Sequence, residues 1–430
     1  LYFAERLNEG KTPYADHPVE YPVVIGAVMQ VAAKAVTVFE PEKRPRHFYD
    51  VTWLILTACA LVVVVTTSKL AGRRRPWDAA IFALSPLLVL HGTTNWDLVA
   101  MALAGVGLLH WARSRPLAAG VFLGAATATK LYPVLFLVPL LALCWRARRM
   151  KEYAVTAAAL VLTPILISLP VYLTSPSFID QGGNNFVVGV GSPLDRLGDE
   201  GLAALAPKTD VTGPDGTAVE AVNAAYRFFE LNTTRPADWD SVWRVVEKLL
   251  GRPLSQDVPP GGAPSTLNAV VFLSFAVCLV GIVVLALKAP RRPRLAQLLF
   301  LTVLAFLLTN KVWSPQFSIW LVPLAALALP RWRPLLAWQL AEALVLFTRF
   351  YFFVRNSDPN GQKGIDDWWY ITALGLRDLA LLVVAGLVVR EVLRPERDLV
   401  RADGTDDPAG GVLDGAPDRS AAAKESGVRA

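Results

Sequence analysis

The sequence predicts an all-α, polytopic membrane protein on three observations. Of its 430 residues, 54% are hydrophobic and only 18% charged. The apolar residues come in repeated, nearly uncharged runs, and the basic residues gather in the short loops between them. The runs "VTWLILTACALVVVVTTSKL" (51–70), "YAVTAAALVLTPILISLPVYL" (153–173) and "LNAVVFLSFAVCLVGIVVLAL" (267–287) set the scale. Each is close to the ~20 residues that cross a ~30 Å hydrocarbon core at ~1.5 Å per residue. A further run, "LALLVVAGLVV", lies within 368–389.

The loops then give sidedness. "AGRRRPW" (71–77), "WARSRP" (111–116), "WRARRMK" (145–151), "KAPRRPR" (288–294) and "PRWRP" (330–334) carry Lys and Arg with no acid. The positive-inside rule puts them in the cytoplasm. Facing outward are "HGTTNWD" (91–97), the region around Lys130, the segment 175–265, "TNKVWSPQ" (309–316) and "RNSDPNGQKGIDD" (355–367). Residues 116–145, whose one charge is Lys130, must therefore cross twice, as two short spans meeting at that lysine. The first apolar segment, "YPVVIGAVMQVAAKAVTV" (21–38), must not cross, or a basic loop would be pushed outside. It sets Gln30 and Lys34 four apart on one helical face and suits the outer interface as an amphipathic element.

About eleven spans result. The chain opens on Leu1 with a polar stretch and is expected to lack an N-terminal piece carrying a further, first span. The expected division is a partial first extracytoplasmic loop with a juxtamembrane helix (1–50), a transmembrane core (51–174), an extracytoplasmic loop (175–265) and a second stretch of core (266–394). The loop holds twelve acids against seven bases, and "NAAYRFFELN" and "WDSVWRVVEKLLG" read there as amphipathic helices. Residues 395–430, rich in Gly, Ala and Asp without aromatics, read as a disordered cytoplasmic tail.

Several classes of function find no support. Cys59, Cys144 and Cys278 fall inside apolar runs and read as core residues, not as a disulfide or metal set. His17, His47, His91 and His110 are scattered, and no HExxH, GxSxG or P-loop is present, so no metal site is expected. The net charge of +6 reflects membrane orientation and not nucleic-acid binding.

Polar groups at membrane depth carry the functional reading, because each costs several kcal/mol without a partner or an aqueous cavity. "TTNWDLVAMAL" sets Asn95 and Asp97 at the outer mouth of a span, where capping and function can coexist. Lys130 is followed by Tyr132 and Pro133, and a proline disfavours helix in the residue before it. A lysine at such a break can present its charge to a phosphate; snorkelling is the plainer alternative. "TNKVWSPQFSIW" repeats the arrangement with Lys311, and Asn310, Ser314 and Gln316 add hydrogen-bonding groups. Glu342 and Arg349, seven apart on one helix, read as members of intramembrane ion pairs. Asp366 and Asp367 mark a helix start, and Trp368 and Trp369 an interfacial belt.

Together "TPYADHPVEYPVVIG", "LSPLLVLHGTTNWDLVAMAL", "GAATATKLYPVLFLVPLL" and "TNKVWSPQFSIWLVPL" resemble glycosyltransferase family 87, over most of residues 10–390. The resemblance implies a C-type, multi-spanning glycosyltransferase fold in the plasma membrane. The implied activity moves a sugar, mannose in most members, from a polyprenyl-phosphate donor to a lipid or glycan acceptor of the cell envelope, outside the cytoplasm. No cofactor is implied beyond the lipid-linked donor.

The family's first outer loop carries an essential aspartate upstream of a helix with a "YPP"-like start, here Glu20-Tyr21-Pro22 with Val23 in place of the second proline. That aspartate is expected upstream of Leu1; the candidates for the base within the chain are Asp16, Glu20 and Asp97. Lys130 and Lys311 are expected at the donor phosphate, and Asn95, Tyr132, Ser314 and Gln316 around the sugar or acceptor. A transporter or flippase of a lipid-linked or anionic substrate is the alternative, since it too would use broken helices and buried charge.

Overall fold

The computed structural model describes residues 10–418 apart from 183–184, 213–215, 255–257, 259–261, 360–361 and 403. Five helices are long and apolar enough to cross a membrane. They are α2 (Arg44–Leu70, entered through a 3-10 turn at Pro41–Lys43), α6 (Met150–Thr174), α9 (Ser265–Lys288), α12 (Trp332–Ser357) and α13 (Asp367–Leu393). Between them run α1 (Val23–Ala35), α3 (Asp97–Ala112), α4 (Pro116–Thr129), α5 (Leu137–Ala147), α7 (Arg227–Thr234), α8 (Val242–Leu250), α10 (Leu295–Thr309) and α11 (Leu321–Ala328). The chain is thus mostly helical and polytopic.

Long and short helices divide the surface from the core. α9 leaves Val270, Phe272, Leu273, Val277 and Val280 exposed, an apolar face that only a bilayer would cover. α10 is apolar all round and buries Leu298, Leu299, Phe300, Val303 and Leu304, as a central helix must. α4 packs on α3 and α6 through small residues. A Cβ at Gly120 would stand 2.5 Å from the Thr156 carbonyl oxygen, and one at Gly124 2.9 Å from that of Leu160. This four-residue glycine spacing lets backbones approach as they do in membrane helix pairs.

α1 is 13 residues long, shorter than a span, and buries Ile25, Met29 and Ala32 against α2, α4 and α6. The double run 116–145 is broken at Lys130, where α4 ends and a 3-10 turn, Tyr132–Phe136, leads into α5.

Two expectations are corrected. The chain is not all-α: the segment after α6 holds a four-stranded antiparallel sheet in the order β2-β1-β4-β3. Its strands are β1 (Ser177–Asp180), β2 (Phe186–Val190), β3 (Lys208–Thr212) and β4 (Ala218–Asn223). β2 to β4 each carry β-branched residues, and Lys208 of β3 pairs with Glu220 of β4 at 2.7 Å.

The tail, too, is packed over residues 395–418; residues 419–430 lie outside the described set. Arg146 meets Asp418 at 2.6 and 2.8 Å, Arg294 meets Asp398 at 2.8 and 3.1 Å, and Asp407 Oδ2 accepts from Leu295 N at 2.7 Å. Arg146 also donates to the carbonyls of Ala286 and Ala289, and Arg294 to those of Leu327 and Ala328. The tail's acids and the loops' arginines thus satisfy helix ends that would otherwise be orphaned. Charge-assisted hydrogen bonds hold it alongside a few apolar anchors, Leu413 and Ala409 among them, which join the main core; so sparse an apolar pattern is why composition misreads it.

Candidate active site

The site forms where three interrupted stretches meet. α4 stops at Thr129, and Lys130 is extended at φ −149°, ψ 137°. α3 starts at Asp97 without a side-chain cap, so the capping role expected of Asn95 and Asp97 is absent and both turn inward. Asn95 Nδ2 donates to Tyr21 Oη at 3.1 Å. Asp97 pairs with Lys130 Nζ at 3.3 Å and accepts from Trp320 Nε1 at 2.9 Å. The pair is buried, 6% of Lys130 and 2% of Asp97 being exposed, so Lys130 sits inside the protein and does not snorkel to the interface. Its ammonium also lies 5.1 Å from the Tyr21 ring centroid and 5.2 Å from that of Phe317.

Above this pair opens a cavity of about 260 Å³. Its cations are Lys130 and Arg235, its one acid among the described residues is Glu20, and Asn95, Asn232, Asn310 and Gln316 supply amides. Ser314 and the rings of Tyr21, Tyr132, Phe317 and Trp320 complete the polar and aromatic wall. Tyr132 and Phe317 stack on either side of Trp320 at 4.5 and 4.3 Å, which fixes the floor. Glu20 and Arg235 pair at 2.5 Å across the mouth, both partly exposed.

Of the residues singled out from sequence, Lys130, Asn95, Tyr132, Ser314, Gln316 and Glu20 line the cavity. Three do not. Asp97 reaches it through Lys130 and Trp320. Asp16 is exposed and accepts from Thr12 N at 2.6 Å within a surface turn. Lys311, expected at the donor phosphate, points away: its Nζ donates to the carbonyls of Thr233 and Arg235 at 3.1 and 2.6 Å. Burial lowers the Lys311 pKa to about 8.

Lys311 belongs to a set of ties that hold the cavity's roof, residues 228–243. Asp238 N donates to the Lys311 carbonyl at 2.8 Å and Trp243 Nε1 to that of Thr309 at 2.9 Å. Asp240 is fully buried, with Arg349 at 3.0 Å and Tyr370 Oη at 2.5 Å, and its backbone carbonyl accepts from Arg377 at 2.6 Å. Burial raises the Asp240 carboxyl pKa above its ordinary value, against the lowering pull of Arg349 and Tyr370. Glu342 pairs with Arg377 at 3.7 Å, so Glu342 and Arg349 are both ion-paired, through other partners than each other. Asp366 caps α13, accepting from Trp368 N at 3.2 Å, and Asp367 pairs with Lys248 at 2.8 Å.

Sequence reasoning missed Arg235 and Asn232. The signal was faint: a base directly before a proline, within an outward segment dominated by acids.

The arrangement suits an anionic, hydroxyl-rich ligand: two cations for a phosphate, amides and rings for a sugar, a carboxylate at the mouth. No curated protein matches the chain. A family model does match, over residues 45–179, from α2 through β1, the stretch that supplies Asn95, Asp97, Lys130 and Tyr132. That model is glycosyltransferase family 87, and residues 45–179 are what this chain shares with it.

Proposed function

We propose that the chain transfers mannose from a polyprenyl-phosphate donor to a hydroxyl of a cell-envelope glycan or glycolipid, outside the cytoplasm, in a C-type glycosyltransferase fold. The carrying observation is Lys130: a buried ammonium at a helix break, held by Asp97 and facing a cavity of amides and aromatic rings. A lipid phosphate must stay near the membrane interface, and a break between two short spans sits at that depth. The interrupted stretch 76–91 and the turns leading into α5 and α11 then count with the helices as about eleven crossings, with the basic loops inside. The extracytoplasmic parts are residues 1–50 and 175–265.

In the transfer, the acceptor oxygen forms a bond to the sugar's anomeric carbon as the bond from that carbon to the phosphate oxygen breaks. The electron pair stays on the phosphate, where Lys130 and Arg235 stabilise it. The acceptor's proton goes to a carboxylate, and Glu20 is the one at the cavity among the described residues. Asn95, Ser314 and Gln316 hold the sugar hydroxyls, and Tyr132 supports the floor. Asp97 orients Lys130, while Lys311 acts on the roof.

The test is release of polyprenyl phosphate from polyprenyl-phosphate mannose by membranes carrying the protein, with acceptor present. Wild type should release it and Lys130→Met should not; equal release by both would refute the proposal. Glu20→Gln with full activity would move the base elsewhere.

A further inference from the structure

A second cavity, of about 660 Å³, lies behind the wall of the first. Pro45, Tyr49, Thr52 and Leu56, at i, i+4, i+7 and i+11, form one face of α2 along it, a length of about 16 Å at ~1.5 Å per residue. Polarity falls along that face. Glu42 and Arg46 stand at the N-terminal end of α2, Tyr49 and Thr52 follow, and the buried Leu56 comes last. Thr52 Oγ1 is buried with no hydrogen-bond partner among the described residues. The wall between the cavities is one side chain thick. Asn95 lines both, and Trp96 of the second meets Tyr21 of the first edge-on, centroids 5.8 Å apart.

Sugar transfer needs two substrates, and the first cavity is small for both, since ligand clefts run to about 300–1,000 Å³. The first cavity has an apolar side of its own, Leu131 and Phe306, which suits the donor's hydrocarbon; Phe306 there meets Phe275 of the exposed helix α9. We propose that the second cavity is the acceptor's site and that the acceptor is an amphiphile, a hydroxylated headgroup on a hydrocarbon chain. The headgroup lies at Thr93, Thr94 and Asn95, and the chain runs along α2 past Thr52 towards Leu56. Asn95 is then the group that both substrates share. The direction of transfer rests on the reading above; the occupancy of the cavity does not.

An octyl glucoside with a diazirine in its chain, photolysed with the whole protein in phosphatidylcholine nanodiscs, tests this by peptide mapping. Adducts are expected within residues 45–56 and 93–96. Thr52→Trp fills the cavity and should lower that labelling about tenfold, equivalent to ~1.4 kcal/mol of binding. Leu54→Trp, on the exposed face of the same helix, should not. Thr52→Leu is a smaller filling of the same space; a fall of about threefold is expected, and it serves if Thr52→Trp fails to fold. Labelling that both Thr52 variants leave unchanged would overturn the proposal. So would displacement of the probe from these residues by polyprenyl phosphate, which would give the cavity to the donor's chain. Specific labelling without any transfer activity would keep this site and sink the transferase reading; transfer to the probe without labelling here would do the reverse.

Discussion

Lys130 and Lys311 each follow closely on the end of a short apolar helix, with an aromatic residue and a proline just behind, yet the fold uses them differently. Lys130 is itself the extended residue that ends α4, and it faces a carboxylate and a cavity. At the other junction the extended residue ending α10 is Asn310, and Asn310 lines the cavity. Lys311 comes one position later, and successive side chains of an extended backbone point to opposite sides. It therefore turns away and ties down the roof through two carbonyls. Position relative to the helix end decides where the ammonium goes, and a shift of one residue changes a cavity-facing lysine into a structural tie.

The largest expected effect is at Lys130. If Lys130 stabilises the departing phosphate as proposed, Lys130→Met should lower transfer about 10³-fold, the upper range for one stabilising donor. It also leaves Asp97 buried and unpaired, which should cost ~3–5 kcal/mol of stability. Lys130→Met combined with Asp97→Asn separates the two: melting should recover while transfer stays lost. Recovery of transfer in the double variant would make Lys130 a purely structural partner and remove the contrast with Lys311.

Lys311→Met should act through the roof. Arg235 and Asn232 are set by the same backbone that Lys311 holds, so donor KM should rise about tenfold while kcat changes less than about threefold. Limited proteolysis should also cut within residues 231–243 sooner than in wild type. A kcat loss like that of Lys130→Met, with the roof still protected, would restore the phosphate-contact role expected from sequence.

The pH dependence of the same tie sharpens the comparison further. Burial holds Lys311 at about 8, below its ordinary 10.5. Between those values the folded protein binds fewer protons at this site than the unfolded one, so stability rises with pH across that window and is lost as pH falls through about 8. The slope from this group is at most ~1.4 kcal/mol per pH unit. Roof protection measured from pH 7.5 upward should show the rise in wild type and lack it in Lys311→Met.

What was legible in the sequence was whatever a bilayer or a helix period imposes. The long runs, the break at Lys130 and the two outer helices α7 and α8 follow from apolar length, proline position and amphipathic spacing. Strands four to six residues long in a polar segment carry no such imprint, and the sheet β1 to β4 was invisible. Arg235 was missed because its partner Glu20 lies 215 residues away, and pairings at that distance leave no local pattern. The tail failed for a related reason: besides a few apolar anchors such as Leu413, its contacts include long-range charge pairs with Arg146, Arg292 and Arg294, which a reading based on hydrophobicity does not see.

That tail supplies the smallest effect on transfer and a control for both lysines, since its buried acid lies in a part of the chain that lines neither cavity. Asp407 accepts from Leu295 N at the start of α10, but burial outweighs that bond and raises its pKa from 3.8 to about 6. An acid whose folded pKa is raised stabilises the fold fully below its unfolded pKa, and that contribution is lost as pH rises through the folded value. Tail docking should therefore weaken between about pH 4 and 6, by at most ~1.4 kcal/mol per unit from this group. Hydrogen exchange at the Leu295 amide, followed across that range, reads the change directly. Asp407→Asn should flatten it and leave kcat and donor KM at wild-type values. If Asp407→Asn moved donor KM as Lys311→Met is expected to, the roof and the tail would be coupled through α10, and the role of Lys311 would no longer be local.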